Sequence, residues 1–304
     1  MVERTVADEV GPAEAALTPT PYGAGADLGY LWYQIRRSPL TLAGIAIIAL
    51  VLATMAFAPV LAPYAPNALD LLHRLAAPSL EHPFGTDEVG RDILSRVIWG
   101  ARTSVSVGFA IVGISMSLGT VLGAFSGLAG GRTDMVIMRL MDVLLSFPSF
   151  VMAMALAAAL GPDLINAMLA IAVVRIPFYV RLARGQALSL RERPYVKAAV
   201  TFGASRWHIV LRHVMPNAMA PIVIQATLDI GLAILTASAL SFIGLGAQQP
   251  TAEWGAMVAT GRDFLLDQWW YPTFPGLAIL VTAIGFNLLG DGLRDIFDPR
   301  MRAR

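Results

Sequence analysis

The chain has 304 residues, of which 56% are hydrophobic and only 14% charged, with a formal net charge of +1. That is too apolar for an ordinary soluble domain and marks an integral membrane protein. With no cysteine, disulfides, thiolate metal sites and a cysteine nucleophile are excluded.

Residues 1 to about 27 are rich in Ala, Pro, Glu and Asp without an apolar period, and read as a disordered tail. They lack the basic start, apolar middle and small-residue cleavage site of a signal peptide, so the first apolar run is expected to stay in the mature chain. LGYLWYQIRR, from Leu28 to Arg37, sets aromatics beside paired arginines, as an interfacial helix does or as a flank of anchor residues does. The expected division is a tail with an interfacial helix over 1–38 and a transmembrane domain over 39–304.

Six segments, near 40–62, 101–127, 136–160, 164–187, 217–244 and 273–293, are long enough to cross the membrane. A hydrocarbon core of about 30 Å takes roughly 20 helical residues. The expected fold is all-α, with six transmembrane helices and a helix pair on the cytoplasmic side. Placing the tail in the cytoplasm puts most of the 22 Lys and Arg inside, including Arg181, Arg184, Arg191, Arg193, Lys197, Arg206 and Arg212. Arg74, Arg91, Arg96, Arg102 and Arg262 then face outward, Arg175 lies within a span, and both termini are cytoplasmic.

Two outward segments remain, about 63–100 and 245–272. In the first, HPFGTDEVGRDILSR from His82 to Arg96 carries Gly85, Asp87, Gly90 and Asp92, which predict tight turns leading into a short helix before the second span. Asp87, Glu88 and Asp92 form an acidic cluster, but Arg91 and Arg96 interleave with it, so a local salt-bridged fold is expected rather than a cation site. The second segment, with QQPTAEWG and DQWWYP, has the aromatic belt of a membrane interface.

Between the fourth and fifth spans lies a polar island, YVKAAVTFGASRWHIVLRHVMP, residues 195–216. It predicts two short helices broken at Gly203, the first opened by Pro194 and the second capped by Ser205 and stopped by Pro216. Tyr195, Ala199 and Phe202 share one face of the first helix, and Trp207, Val210, Leu211 and Val214 one face of the second. Each is an amphipathic surface that needs either a groove or the membrane surface.

Catalytic motifs find no footing. A phosphate-binding loop needs a Gly-Lys-Ser/Thr step, yet the chain's single lysine, Lys197, follows Val196. There is no His-Glu-x-x-His and no Gly-x-Ser-x-Gly. Charges inside spans carry more weight, because an ionisable group at mid-membrane is costly and tends to be functional. Asp142 lies near a surface with Arg139 one turn before it and reads as a structural pair with it. Arg175 and Asp229 sit at about the same depth in the fourth and fifth spans. Either they pair with each other, or Arg175 faces a water-filled path and attracts a carboxylate of the substrate.

The 195–216 stretch resembles the cytoplasmic coupling loop of ATP-binding-cassette importer permeases, whose pattern is Glu-Ala-Ala, three residues, Gly, then Ile-x-Leu-Pro. Here it stands as Lys197-Ala198-Ala199, Gly203 and His213-Val214-Met215-Pro216. Three further blocks, at 82–96, 240–255 and 274–299, resemble the dipeptide, oligopeptide and nickel permease subfamily, specifically its C-type subunit. The resemblance implies a permease domain over 39–304 with a coupling loop at 190–216, in the cytoplasmic (inner) membrane. It implies a B-type permease subunit, two ATP-binding subunits and an extracytoplasmic substrate-binding protein as partners, with outward segments 63–100 and 245–272 as the dock for the last. ATP would be bound by the partner subunits, this chain holding no cofactor of its own and binding no nucleic acid. Ala198, Ala199 and Gly203 would be small for close packing in a groove of the ATPase, and Tyr195, Phe202 and Trp207 would be anchors. Lys197 stands where the family has Glu.

Small peptides are the expected cargo, since bare nickel would need soft or imidazole ligands along the path and no span holds cysteine or histidine. Import of nickel or another solute is the alternative. An ion-coupled secondary transporter would need matching broken helices in two repeated halves, which the sequence does not display.

Overall fold

A computed structural model describes residues 35–36 and 38–297 of the chain. The expected tail and interfacial helix over 1–38 fall almost wholly outside the described residues, as do residues 298–304.

Helix α1, Pro39–Leu61, starts where the Ser38 hydroxyl accepts from the Thr41 N–H at 3.3 Å and Pro39 occupies the first turn. Helix α2, Ile93–Ala129, is capped by Asp92, which accepts from the Ser95 N–H at 2.7 Å. Its 37 residues form a rod of about 55 Å, longer than the hydrocarbon is thick. The separate short helix expected before the second span is therefore the first turns of that span.

The third expected span is not one helix. Helices α3, Gly131–Leu145, and α4, Ser149–Leu160, meet at 88°. Pro148 is the physical cause: it has no N–H to give, and its ring forces the chain out of the helix just before it. The Ser146 hydroxyl donates to the Val143 carbonyl at 2.7 Å and satisfies part of the broken end.

Helix α5, Leu164–Leu190, is capped by Asp163. After α6, Pro194–Thr201, and the short α7, Arg206–Ile209, a π-helical turn over Val210–Val214 runs directly into α8, Met215–Phe242. Pro216 thus does not stop the second helix. The wider turn lets the Met215 N–H reach the Val210 carbonyl, and the Asn217 side-chain amide donates to the His213 carbonyl at 2.7 Å. The helix passes the proline because its backbone groups find other partners. Helices α9, Trp254–Gly261, and α10, Trp270–Phe297, complete the described chain. Five helices are long and apolar enough to span a membrane, or six if α3 and α4 count as one. The fold is an all-α integral membrane fold.

Helix α2 is the central rod. Gly119, Gly123 and Gly127, four residues apart on one face, meet α5 so closely that a Cβ on Gly123 would stand 2.3 Å from the Val180 carbonyl oxygen. One on Gly119 would stand 2.5 Å from Cβ of Tyr179. Small residues let helices approach where lipid offers no hydrophobic drive to associate. Helix α8 packs on α2, α5 and α10, and α10 on α1, while the bent α3–α4 pair sits at the periphery with Met135, Val136, Leu140 and Phe147 exposed.

The far end of the bundle, opposite the 194–214 segment, is a buried polar knot. Asp87, fully buried, accepts from the Arg91 Nε at 2.5 Å. Arg91 also donates to Gln249 Oε1 at 2.9 Å and Glu88 Oε1 at 3.1 Å. Arg96 reaches the Pro66 carbonyl at 2.9 Å, Asn67 Oδ1 at 3.0 Å and the Pro250 carbonyl at 3.3 Å. Arginines take up Asp87 and Glu88, while Asp92 caps α2 and meets His82 Nδ1 at 2.9 Å.

The glycine stripe gives a direct comparison. Gly123→Ala forces α2 and α5 apart and is expected to cost about 1–3 kcal/mol, a strained insertion into a full interface. Gly113→Ala, on the same helix with nothing within 4 Å of the added Cβ, is expected to be neutral or mildly stabilising. Thermal unfolding of the purified complex in detergent checks both.

Candidate functional site

The polar segment between α5 and α8 is built on two cappings that its sequence dictates. Helix α6 closes in a Schellman motif, with Gly203 at φ +77°, its N–H on the Val200 carbonyl at 3.0 Å and the Ala204 N–H on the Ala199 carbonyl at 3.0 Å. Ser205 then caps α7, its hydroxyl accepting from the His208 N–H at 3.3 Å.

One side of this segment is anchored to the bundle. Val196, Ile209, Val210 and Val214 are buried against Ala124 of α2 and Ala187 of α5, forming a small core of their own. Trp207 stacks on Phe125, with ring centroids 4.7 Å apart and planes 19° from parallel. The other side is bare: Phe202 is 89% exposed, and Tyr195, Val200 and Leu211 are exposed too. Ala198 is exposed and Ala199 half-buried, and a Cβ on Gly203 would meet nothing within 4 Å.

Lys197 makes an ion pair within the segment, its Nζ 3.1 Å from Glu192 Oε2. The hydrogen bond from that ammonium holds the Glu192 carboxyl below its ordinary value, helped by its charge and by Arg191. Both side chains are largely exposed, so the pair is screened and worth little to stability.

Midway along the spans, Arg175 of α5 and Asp229 of α8 are in contact. The Arg175 Nη1 donates to Asp229 Oδ1, and the Tyr179 hydroxyl donates to Oδ2 at 3.1 Å. Asp229 and Tyr179 are buried, and Arg175 keeps a minor exposure. Nearer the 194–214 segment, Arg184 grips Asp134 through Nε at 2.6 Å and Nη2 at 2.7 Å, with the Ser126 hydroxyl on the same acid at 2.6 Å. Asp142 pairs with Arg181 of α5 at 2.7 Å rather than with Arg139. The expected partner was its neighbour on the same helix; the helix packed beside it supplies a better-placed one.

Of the residues singled out in the sequence, the structure gathers Tyr195, Lys197, Ala198, Ala199, Phe202, Gly203 and Trp207 on one segment, with Pro216 inside the helix that leaves it. Arg175 and Asp229 lie apart from them, joined to each other. Trp207 differs from a free anchor, since one face of its ring is spent on Phe125. The inward-facing Val196 and Ile209 were not singled out, although Val196, three before Ala199, is in helical phase with it. Tyr179 was missed as well, although it lies one turn beyond Arg175 on the same face. Glu192 gave no sequence signal, being placed by the turn between α5 and α6.

Residues 119–303 match the family of binding-protein-dependent transport system inner membrane components, and residues 28–78 match the N-terminal transmembrane domain of oligopeptide transport permease C. The chain is 60% identical over 270 residues to the probable D,D-dipeptide transport system permease protein of Escherichia coli, covering 89% of this chain and 91% of that one. It is 44% identical over 270 residues to the dipeptide transport system permease protein of Alkalihalophilus pseudofirmus, with 89% of each covered. Against the glutathione transport system permease protein of Pectobacterium atrosepticum it is 40% identical over 273 residues, covering 90% and 91%.

The buried pair generates a double-variant test. Asp229→Leu or Arg175→Met alone leaves one charge uncompensated in an apolar bundle and is expected to cost about 3–5 kcal/mol. The double variant is expected to regain a large part of that loss, because no charge is then stranded. Thermal unfolding of all four forms measures the coupling, and strict additivity would show that the pair does not act as one unit.

Proposed function

The chain belongs to the family of binding-protein-dependent transport system inner membrane components, and from that premise we propose that it is the C-type permease subunit of an ATP-driven importer of small peptides. It is a multi-pass inner membrane protein and a transport component. Its relatives are named for dipeptide and D,D-dipeptide transport, and its first described helix falls in the oligopeptide-permease match. Cargo of that class fits them all.

The observation that carries the reading is the apolar surface of Tyr195, Val200, Phe202 and Leu211, which no described residue covers. The same stretch of chain exposes Arg191, Arg193, Lys197, Arg206 and Arg212. An exposed apolar patch rimmed by charge is a docking surface, and its natural occupant is one of two ATPase subunits, with an acidic groove to meet the cations. ATP is bound there, since this chain has no Gly-Lys-Ser/Thr step to cradle its phosphates. The segment and both termini then lie in the cytoplasm. Lys197 stands at the family's Glu position beside Glu192, so the loop presents a cation where the family pattern has an acid.

On the extracytoplasmic side, Leu72, Leu80 and Leu266, all almost fully exposed, stand on the knotted cap as the surface for a peptide-loaded binding protein. A B-type permease subunit completes the pore. The chain's helices supply one wall of it, with lipid around the rest.

Phe202→Asp places a charge at the centre of the docking surface, and Gly203→Val forces a branched residue into a left-handed conformation. In both variants the ATPase subunits are expected to be lost on affinity purification of the complex while the partner permease is retained, and peptide uptake is expected to fall by at least about tenfold, the scale of one lost hot spot. Full uptake with ATPase subunits still bound would contradict the docking assignment.

A further inference from the structure

Halfway along α8 and α10 lies a cavity of about 300 Å³ whose lining includes Gln225, Leu228, Asp229, Leu232, Leu235 and Asn287. Glycines shape it. A Cβ on Gly231 would stand 3.0 Å from the Ala283 carbonyl oxygen, and one on Gly290 would stand 2.4 Å from the Leu228 side chain. The two helices therefore cross almost in backbone contact, and this brings Asp229 and Asn287 to the same level of the membrane.

Neither the Gln225 nor the Asn287 amide has a hydrogen-bond partner among the described residues. Asn287 is exposed and Gln225 half-exposed, each near the middle of a span. An unpaired amide in hydrocarbon is costly, because lipid offers nothing to bond it. This face is therefore not a lipid face. Asp229, at the floor of the cavity, has its charge matched by Arg175 and its second oxygen met by Tyr179. The cavity is consequently an apolar pocket with three polar groups, Gln225, Asp229 and Asn287, and without net charge.

We propose that Gln225 and Asn287, over the neutralised Asp229, form a binding station in the translocation path that pairs with the backbone amides of a small peptide in transit. The proposal rests on the reading of the chain as a peptide importer's permease and adds where in the membrane the cargo is held. Each side-chain amide offers a carbonyl and an N–H₂, the complement of a peptide's own N–H and C=O. A site with no net charge neither traps nor repels a zwitterion, whose ammonium and carboxylate cross together. Two neutral hydrogen-bonding groups bind weakly enough for release, as a conduction site requires.

The test uses the whole transporter, both permease subunits with the ATPase pair, reconstituted in vesicles with its binding protein and radiolabelled alanyl-alanine. Gln225→Leu/Asn287→Leu is expected to purify with all subunits and keep binding-protein-stimulated ATP hydrolysis, while peptide taken up per ATP falls about tenfold, the loss of one to two hydrogen bonds. Asn287→Gln, which keeps an amide, is expected to retain uptake. Unchanged uptake per ATP in the double leucine variant overturns the proposal, as does failure of that variant to assemble, which would make this face a subunit contact. If the wild-type complex hydrolyses ATP but takes up no alanyl-alanine, the peptide reading itself falls and this station with it. Wild-type uptake matched by the variant removes the station alone.

Discussion

A guanidinium held in the middle of a membrane cannot shed its proton and so must have an anion beside it. Arg175 has Asp229, and the tie joins α5 to α8 at their midpoints. The same two helices flank the 194–214 segment. They are thus fastened twice, by the chain at one end and by an ion pair halfway along. The glycine stripe of α2 brings α5 to within backbone contact, and Tyr179, which meets that stripe through its Cβ, turns its hydroxyl onto Asp229. Packing and charge pairing depend on one another here.

The consequence for function lies in how the segment is mounted. Val196, Ile209, Val210 and Val214 continue the bundle's packing past the ends of the spans, and the π-turn carries α7 into α8 without a break. The segment is therefore an extension of two spanning helices and not a loose loop. In the proposed importer, a push delivered to Phe202 and Tyr195 reaches the membrane through α5 and α8 together. The cavity at Asp229 lies on that lever. At the far end, the Arg91 and Arg96 knot keeps its donors and acceptors satisfied, the condition under which buried ion pairs do not cost the fold more than they return.

Much of this was legible in the residues. Apolar runs gave the spans, Gly203 and Ser205 marked the break and the cap, and counting 1.5 Å per residue put Arg175 and Asp229 at one depth. The interleaved Arg91 and Arg96 foretold a salt-bridged fold. What was not legible depended on neighbours in space. Pro148 and Pro216 look alike in sequence, yet one breaks its span by 88° and the other sits inside a helix, because only the second has a π-turn and Asn217 to repair the backbone. Asp142 found Arg181 rather than Arg139 because α5 packs beside α3. Trp207 lost part of its free face to Phe125, eighty-odd residues earlier in the chain. Gln225 and Asn287 attracted no notice as lone amides in apolar runs; only the crossing at Gly231 and Gly290 makes them a pair.

The central claim is that α5, the 194–214 segment and α8 move as one body when the importer cycles. The chain has no cysteine, so nitroxide labels on cysteines introduced at the exposed Ile165, at the far end of α5, and Thr201, in α6, report a single distance. Measured by electron spin–spin coupling in the full complex, that distance is predicted to be the same with and without bound ATP. A shift of about one helical turn, roughly 5 Å, between the two states would contradict the account.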